Sequence, residues 1–233
     1  MTSASHDLNR LRGRPRQSER EVGRDKLIEQ SRKIMNLRPR MDIQRREIAE
    51  IVGVTPALIN YYFPDKWTLL EAAAYPFVTE LVTNIISTLN SPSTDTIKFQ
   101  EIVSIYLAFH EKSGFALYYY IISSKRLRKK ENLSAIKSCR NEVYGLIKQI
   151  IPINAPPEQT VETVHAMLWS VCECLGRLPP RQRGPDLVDD TVSANVRAYR
   201  PLVLDLFTHG VLNLSSYPRF SARRSPARAA SIA

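Results

Sequence analysis

The sequence predicts an all-α protein with a small helix-turn-helix domain near its N-terminus and a larger helical body behind it. Apolar residues recur at helical spacing along the chain, whereas period-2 alternation is rare and no Asn-Gly hairpin signal occurs. A tight glycine-containing turn between two short predicted helices is typical of a helix-turn-helix. With 43% apolar residues, the 233-residue chain can build a hydrophobic core in one or two domains.

The first predicted helix begins near residue 20. Ser18 and Glu21 have the spacing of a capping box, and Leu27 and Ile34 recur seven residues apart on one face. The residue before a proline avoids the α region, so Pro39 should end this helix.

The second and third predicted helices form the helix-turn-helix. A short helix over 45–52 should be closed by Gly53, because glycine adopts the left-handed conformation at helix ends without strain. Thr55 and Pro56 then supply an N-cap and a favoured first helical residue. The third helix should run to Tyr62.

Six further helices are predicted in the body. The first should begin at Lys66 after an Asp65 cap and be kinked at Pro76. Pro201 should interrupt or kink the last one. The predicted ranges are 66–91, 95–111, 114–129, 132–151, 158–178 and 188–206.

The net charge of +10 is concentrated toward the N-terminus. Residues 10–46 hold 13 Lys or Arg against 5 Asp or Glu, whereas residues 67–214 hold 15 against 14. The tail from Ser215 has 4 Arg and no acidic residue. A basic end on a near-neutral body indicates a polyanionic partner, although a basic terminus can also serve solubility alone.

Other classes of protein are disfavoured. No run approaches 18 apolar residues, as a membrane-spanning helix would need, and the first twenty residues lack the apolar stretch of a secretory signal. Three cysteines are too few for a disulfide framework, which favours a cytoplasmic protein. Cys172, Cys174 and His165 do not share one helix face, so we expect no metal or other cofactor. Without a nucleophile motif, paired carboxylates or a phosphate-binding glycine loop, we expect no catalytic residues and no enzyme.

The stretch IAEIVGVTPALINYYFPDKWTLLEAA (48–73) resembles the TetR family of bacterial transcriptional regulators. The motif match covers about residues 22–74. It rests on Ile48-Ala49, Gly53-Val54-Thr55, Phe63, Lys66 and Leu69-Leu70. The resemblance implies a homodimeric repressor whose body binds a small effector and releases an operator in double-stranded DNA.

The domains implied are a disordered basic arm, the helix-turn-helix domain, an effector-binding and dimerisation body, and a disordered basic tail. Their predicted bounds are 1–19, 20–66, 67–214 and 215–233. Three residues depart from the family pattern: Gln44 replaces a Thr, Asn60 a Tyr and Tyr62 a His. We expect the fold to survive and the operator sequence to differ.

The predicted DNA contacts lie on the recognition helix, beside it and on the arm. Asparagine suits adenine, small apolar groups suit the thymine methyl, and Tyr62 and Lys66 are placed for phosphates. The two tyrosines could instead pack against neighbouring helices. The arm resembles an AT-hook core that enters the minor groove, but it could attract phosphates generically. The full predicted set is Arg12, Arg14, Arg16, Gln44, Arg45, Thr55, Pro56, Ala57, Asn60, Tyr61, Tyr62 and Lys66.

Two further sites follow from the resemblance and from residue type. Rings, sulfur and one histidine in the middle helices predict a pocket for a hydrophobic or aromatic effector, although they could merely fill the core. Its predicted residues are Tyr106, Phe109, His110, Tyr118, Met167 and Trp169. Wide apolar faces on the last two helices predict a dimer interface. Its predicted residues are Val164, Leu168, Leu175, Val192, Val196 and Val203.

Three alternatives remain open at this point. The chain could be an activator, could respond to a protein partner, or could be a non-specific architectural DNA-binding protein. The last would use the arm, the tail and the basic run between Lys125 and Lys130. That run could equally stabilise the end of a helix, where cations favour the macrodipole.

Overall fold

The computed structural model describes residues 17–151, 158–178 and 194–211, and every element in these ranges is helical. The all-α fold class is thereby confirmed. Four predicted site residues lie outside the described ranges, as does the predicted tail: Arg12, Arg14, Arg16 and Val192. In chain order the elements are α1 (Gln17–Ser31), a 3-10 helix (Arg32–Asn36), α2 (Arg45–Val52), α3 (Pro56–Tyr62), α4 (Lys66–Leu89), α5 (Asp95–Ser113), α6 (Ala116–Arg126), α7 (Lys130–Ile150), α8 (Glu158–Gly176), α9 (Ala194–Asp205) and a π-helical turn (Leu206–Val211).

The small domain forms from α1, the 3-10 helix, α2 and α3. α1 begins at Gln17, ahead of the predicted start, and the chain leaves the helical conformation at Leu37, before Pro39 is reached. The core of this domain is apolar because each helix turns one face inward. Its fully buried side chains include Leu27, Ile34, Met35, Ile43, Ile48, Ile59 and Phe63.

The predicted helix-turn-helix is present with its predicted ends. Gly53 is left-handed (φ 81°, ψ 37°), and its amide and that of Val54 both donate to the Ala49 carbonyl at 2.9 Å. The Thr55 side chain caps α3 by accepting from the Leu58 amide at 3.3 Å, and Pro56 opens the helix. Gln44 gives α2 no side-chain cap, as expected for a poor capping residue.

The body is built around α4, which runs on from the helix-turn-helix. Asp65 caps it by accepting from the Thr68 amide at 2.8 Å, and the helix continues through Pro76 to Leu89. α4 is the one helix of the described ranges with the length and hydropathy to cross a membrane. Nine of its 24 residues are buried, mainly against α6 and α5, which is the pattern of a core helix in a helical bundle.

The body also touches the small domain through backbone atoms. The Phe115 amide, between α5 and α6, donates to the Met35 carbonyl of the 3-10 helix at 2.6 Å. Gly114 precedes it at φ 55° and ψ −119°, and a Cβ there would lie 2.4 Å from the same carbonyl oxygen. Glycine is therefore required at this junction by backbone conformation and by close approach.

The far side of the body is formed by α5, α8 and α9. α5 packs on both α8 and α9, and Cys172 is fully buried between them in this core. The Asn195 amide nitrogen at the start of α9 donates to the carbonyls of Gly176, at 3.2 Å, and Leu178 at the end of α8. α9 is not interrupted at Pro201, and it passes into the π-helical turn after Asp205.

Candidate nucleic-acid interface and effector cavity

The outer face of α3 has the geometry that a groove-reading helix needs. Ile59 and Phe63 are buried at 0% and 1% exposure, which fixes the rotation of the helix about its axis. The opposite face, made of Pro56, Ala57 and Asn60 with Tyr61, is exposed. A short helix held by an inner apolar pair presents its outer side chains rigidly, as recognition by direct contact requires.

Asn60 is oriented by Arg45 from α2. The Arg45 guanidinium donates to the Asn60 Oδ1 atom at 2.5 Å and to the Pro64 carbonyl oxygen at 2.6 Å. Because an amide oxygen has two lone pairs, Oδ1 can still accept a second bond, and both hydrogens of Nδ2 remain available. This leaves Asn60 able to pair with an acceptor and a donor side by side on a base edge.

The two tyrosines of α3 differ in their surroundings. Tyr61 is 54% exposed and meets Tyr62 edge to face, with ring centroids 4.9 Å apart. Tyr62 is half-buried, and its hydroxyl oxygen lies so close to α1 that a Cβ on Gly23 would be 2.4 Å from it. Tyr62 therefore packs against α1, which is the alternative to a phosphate contact that the sequence left open. Tyr61 points into solvent.

Lys66 makes local contacts that the sequence does not suggest. Its ammonium donates to the carbonyl of Ile43 and, at 3.4 Å, to that of Met41, and it lies 4.6 Å from the Trp67 ring centroid. These bonds tie the start of α4 to the loop before α2. An ammonium has three donors, so a further contact with a phosphate would remain open to it.

A largely apolar cavity of about 370 Å³, which we call the main cavity, opens between α4, α5, α6, α7 and α8. Its wall is largely aromatic and aliphatic, as in many small-molecule sites. Of the predicted pocket residues, it brings together Tyr106, Tyr118 and Trp169. Phe109 lines a separate cavity of about 280 Å³, and His110 borders a third recess with Arg177.

Met167 does not face the main cavity. Its side chain is 44% exposed on α8 and lines none of these three cavities. His110 is buried, and desolvation, followed by the nearby Arg177 charge, lowers its pKa to about 3. It is therefore neutral at physiological pH.

Polar groups in the main cavity form two small networks. The Tyr106 hydroxyl and the Nε2 atom of His165 are 3.0 Å apart. Burial, followed by the Arg140 charge, lowers the pKa of His165 to about 4, so the imidazole is neutral at pH 7. Trp169 donates from Nε1 to the Tyr118 hydroxyl at 3.2 Å, and that hydroxyl donates to a Glu173 carboxylate oxygen at 3.0 Å.

Sequence reasoning missed His165 and Arg140 as cavity residues. His165 lies seven residues before Cys172, and this shared helix face was the available signal for His165. Arg140 lies one position after the buried Cys139 and stacks on Tyr144, with its guanidinium carbon 5.3 Å from the ring centroid. Nothing in the local pattern of α7 distinguishes Arg140 from other exposed cations.

Four of the six predicted dimer residues are buried within the single subunit. Val164, Leu168, Val196 and Val203 are each 5% exposed or less within a single subunit, and Leu175 is half-buried. Their apolar faces are covered by the subunit's own helices, with α5 packed against both α8 and α9. These four buried side chains therefore cannot form a surface for a second subunit. The large apolar side chains exposed on these two helices and just beyond their ends are Met167, Leu178, Leu202 and Leu206.

Among the described residues, no group of three or more His, Cys, Asp or Glu side chains could hold a metal ion. Cys139 and Cys172 are buried, and burial raises the pKa of the Cys172 thiol to about 12. Cys174 is exposed on α8.

The chain is similar in fold to two solved regulators. The structure named Probable transcriptional regulatory protein RHA5900 matches with a TM-score of 0.59 at 15% identity, over 80% of this chain and 97% of that chain. The TetR family transcriptional regulator PfmR from Thermus thermophilus matches with a TM-score of 0.52 at 13% identity, over 76% of this chain and 96% of that one. No family model and no curated protein matches the sequence. At sequence identities of 13% and 15%, the similarity to these structures establishes the fold alone.

Proposed function

We propose, on the premise that this chain has the fold of the TetR family of regulators, that it is a sequence-specific DNA-binding transcriptional regulator. The observation that carries this proposal is the outer face of α3. Four exposed residues stand on a helix fixed by two buried ones, and one of the four is an asparagine held in place by an arginine. Such a face suits the major groove, where an asparagine can read adenine and small apolar groups can meet a thymine methyl.

The regulator acts as a homodimer. Helix-turn-helix proteins usually read two half-sites, and a symmetric pair of subunits presents two recognition helices at a fixed spacing. Met167, Leu202 and Leu206 leave apolar surface exposed on α8, α9 and the π-helical turn. An isologous interface across these residues would cover apolar surface that the isolated subunit leaves in water.

The main cavity binds a small, largely apolar or aromatic effector. Its rings supply contact area, while the Tyr106–His165 pair and the Tyr118 hydroxyl supply polar partners for a hydroxyl or carbonyl group. α4 contributes Leu81 and Ile85 to the cavity and begins at Lys66, beside α3. This helix therefore connects the cavity to the DNA-binding face.

The proposed mode of action is repression that the effector relieves. A ligand can release DNA only if it binds more tightly to the arrangement of recognition helices that does not fit the operator. By reciprocity, operator DNA must weaken effector binding by the same factor. A compound that binds the cavity without changing operator affinity would not be the effector.

The DNA-binding proposal is tested by footprinting on DNA that flanks the protein's own gene, with non-specific competitor present. A specific regulator should protect two half-sites about one helical turn apart and keep that protection in excess competitor. An architectural protein would lose its preference under competition. Failure to protect any segment would refute the proposal.

The effector proposal is tested with aromatic compounds in the same binding assay. A compound that lowers operator affinity should lose this effect in His165→Ala, which removes a polar partner in the cavity. Thr163→Ala is the control, because Thr163 is exposed on the same helix and does not line the cavity. Equal responses of the two variants would contradict the assignment of the cavity.

A further inference from the structure

Five cations lie within the six residues that span the end of α6, the three-residue connection and the start of α7, and we call residues 125–130 the basic turn. One of them, Lys129, binds the buried Glu71 carboxylate of α4. The other four are exposed: Lys125, Arg126, Arg128 and Lys130. None of these four forms an ion pair with any residue in the part of the chain that the structure describes.

Local structure explains two of the four exposed cations. Lys125 and Arg126 lie in the last turn of α6, where positive charge is stabilised by the helix macrodipole. Arg128 lies beyond the helix end with a φ of 58°. The Lys129 amide donates to the Ser124 carbonyl at 2.9 Å and the Arg128 amide to the Lys125 carbonyl at 3.3 Å, which is a Schellman motif.

Arg128 occupies a position that favours glycine. The left-handed conformation crowds the Cβ of any L-residue, so an arginine is less stable here than a glycine. Lys130 is also unfavourably placed, because it is the first residue of α7 and a cation opposes the positive end of the macrodipole. Folding stability therefore does not explain why the chain has cations at Arg128 and Lys130.

The basic turn is attached to the start of α4. The Arg126 guanidinium carbon is 5.8 Å from the centroid of the Trp67 ring, which also contacts the Lys66 ammonium. Asn132 donates to the second Glu71 oxygen at 2.7 Å, reinforcing the bond from Lys129. These contacts hold the basic turn against the first two turns of α4, the helix that directly follows α3.

We propose that the basic turn is a second contact for duplex DNA, located on the body, with Arg128 and Lys130 binding the phosphate backbone. This inference rests on the proposed DNA-binding function. Exposed cations without acidic partners lose little by pairing with phosphates, and their neutralisation releases counterions from the DNA. Because the turn is held on α4 beside Lys66, its charge extends the positive surface next to the recognition helix. Contacts of this kind set affinity and orientation without reading sequence.

The experiment compares the full-length wild-type chain with the double variant Arg128→Gly/Lys130→Gln in gel-shift titrations across a range of salt concentrations. The control is Lys148→Gln, which removes one exposed cation 18 residues along α7 from Lys130, about 27 Å along the helix. The double variant should bind all operator variants more weakly by a common factor. Its slope of log affinity against log salt should shrink by about 0.9 for each phosphate that the variant no longer neutralises.

A thermal melt separates DNA contact from a structural role. Removing strain at residue 128 and a misplaced cation at residue 130 should leave the midpoint unchanged or raise it, even though DNA affinity falls. Lys130→Gln alone provides the same test if the double variant does not fold. A double variant whose affinity and salt slope equal those of the control would overturn the inference alone. A wild-type chain that binds no duplex would overturn the proposed function as well.

Discussion

Replacing Gly114 with alanine should destabilise the protein far more than the same change at Gly53. Both glycines have positive φ, but a Cβ at Gly53 would meet nothing within 4 Å. The cost there is that of a left-handed alanine, about 1 kcal/mol. Gly53→Ala is therefore a matched reference for the backbone conformation alone.

At Gly114 three costs combine. Its φ of 55° and ψ of −119° lie in a region that L-residues rarely adopt, which costs about 2 kcal/mol. The new Cβ would be 2.4 Å from the Met35 carbonyl oxygen, and relieving such overlap costs about 2 kcal/mol more. Moving this segment would also break the hydrogen bond from the Phe115 amide to that oxygen, worth about 1 kcal/mol. The expected total is about 5 kcal/mol, a large part of the stability of an ordinary domain.

Urea unfolding followed by circular dichroism measures the free energy of unfolding of each variant. The protein concentration is kept fixed, because the stability of the proposed dimer would depend on it. Hydrogen exchange would show which part of the structure the substitution destabilises. The amide of Phe115 should lose protection first in Gly114→Ala. If Gly114→Ala cost no more than Gly53→Ala, the close backbone contact between the body and the small domain would be refuted.

Three further predictions concern base reading, assembly and pH. Asn60→Ala should remove about 1–3 kcal/mol of discrimination at one base pair, and an unchanged ranking of operator variants would show that Asn60 reads no base. Leu202→Glu should yield folded monomers by light scattering, because that side chain is 56% exposed, whereas Leu168→Glu should unfold the subunit; a dimeric Leu202→Glu would refute the proposed interface. His110 and His165 are held neutral in the fold with pKa values of about 3 and 4, below their ordinary 6.5. The unfolded chain therefore binds more protons, and the free energy of unfolding should fall as pH is lowered from 6.5 towards 4, by up to about 1.4 kcal/mol per pH unit for each histidine. An equally steep loss in His110→Phe would contradict the role of that residue.

The helix-turn-helix was predictable because its signals are local. Thr55, Pro56 and Gly53 each act on backbone atoms within a few residues, so their residue types alone indicate where helices begin and end. The inner pair Ile59 and Phe63 likewise follows from four-residue spacing on one helix. For this segment, local preference and the observed fold agree.

The contacts that the sequence could not predict join distant parts of the chain. Lys66 binds carbonyls more than twenty residues before it, and His165 meets Tyr106 across 59 positions. The wide apolar faces of α8 and α9 suggested a second subunit, yet Leu168 and Val196 are buried within one subunit, where α5 packs against both helices. Periodicity shows that a face is apolar, but it does not show which helix covers it.

The two tryptophans are intrinsic fluorescent probes, one at the start of α4 and one in the main cavity. Trp67 lies between the Lys66 and Arg126 cations at the start of α4, and Trp169 lines the main cavity with its indole bonded to Tyr118. The chain has no other tryptophan. A Trp67→Phe variant would emit only from the cavity, and a Trp169→Phe variant only from the region beside the proposed DNA-binding face. In a Trp169→Phe variant, a change in Trp67 emission on addition of an effector would show, without any attached dye, that binding in the cavity alters the structure at the start of α4.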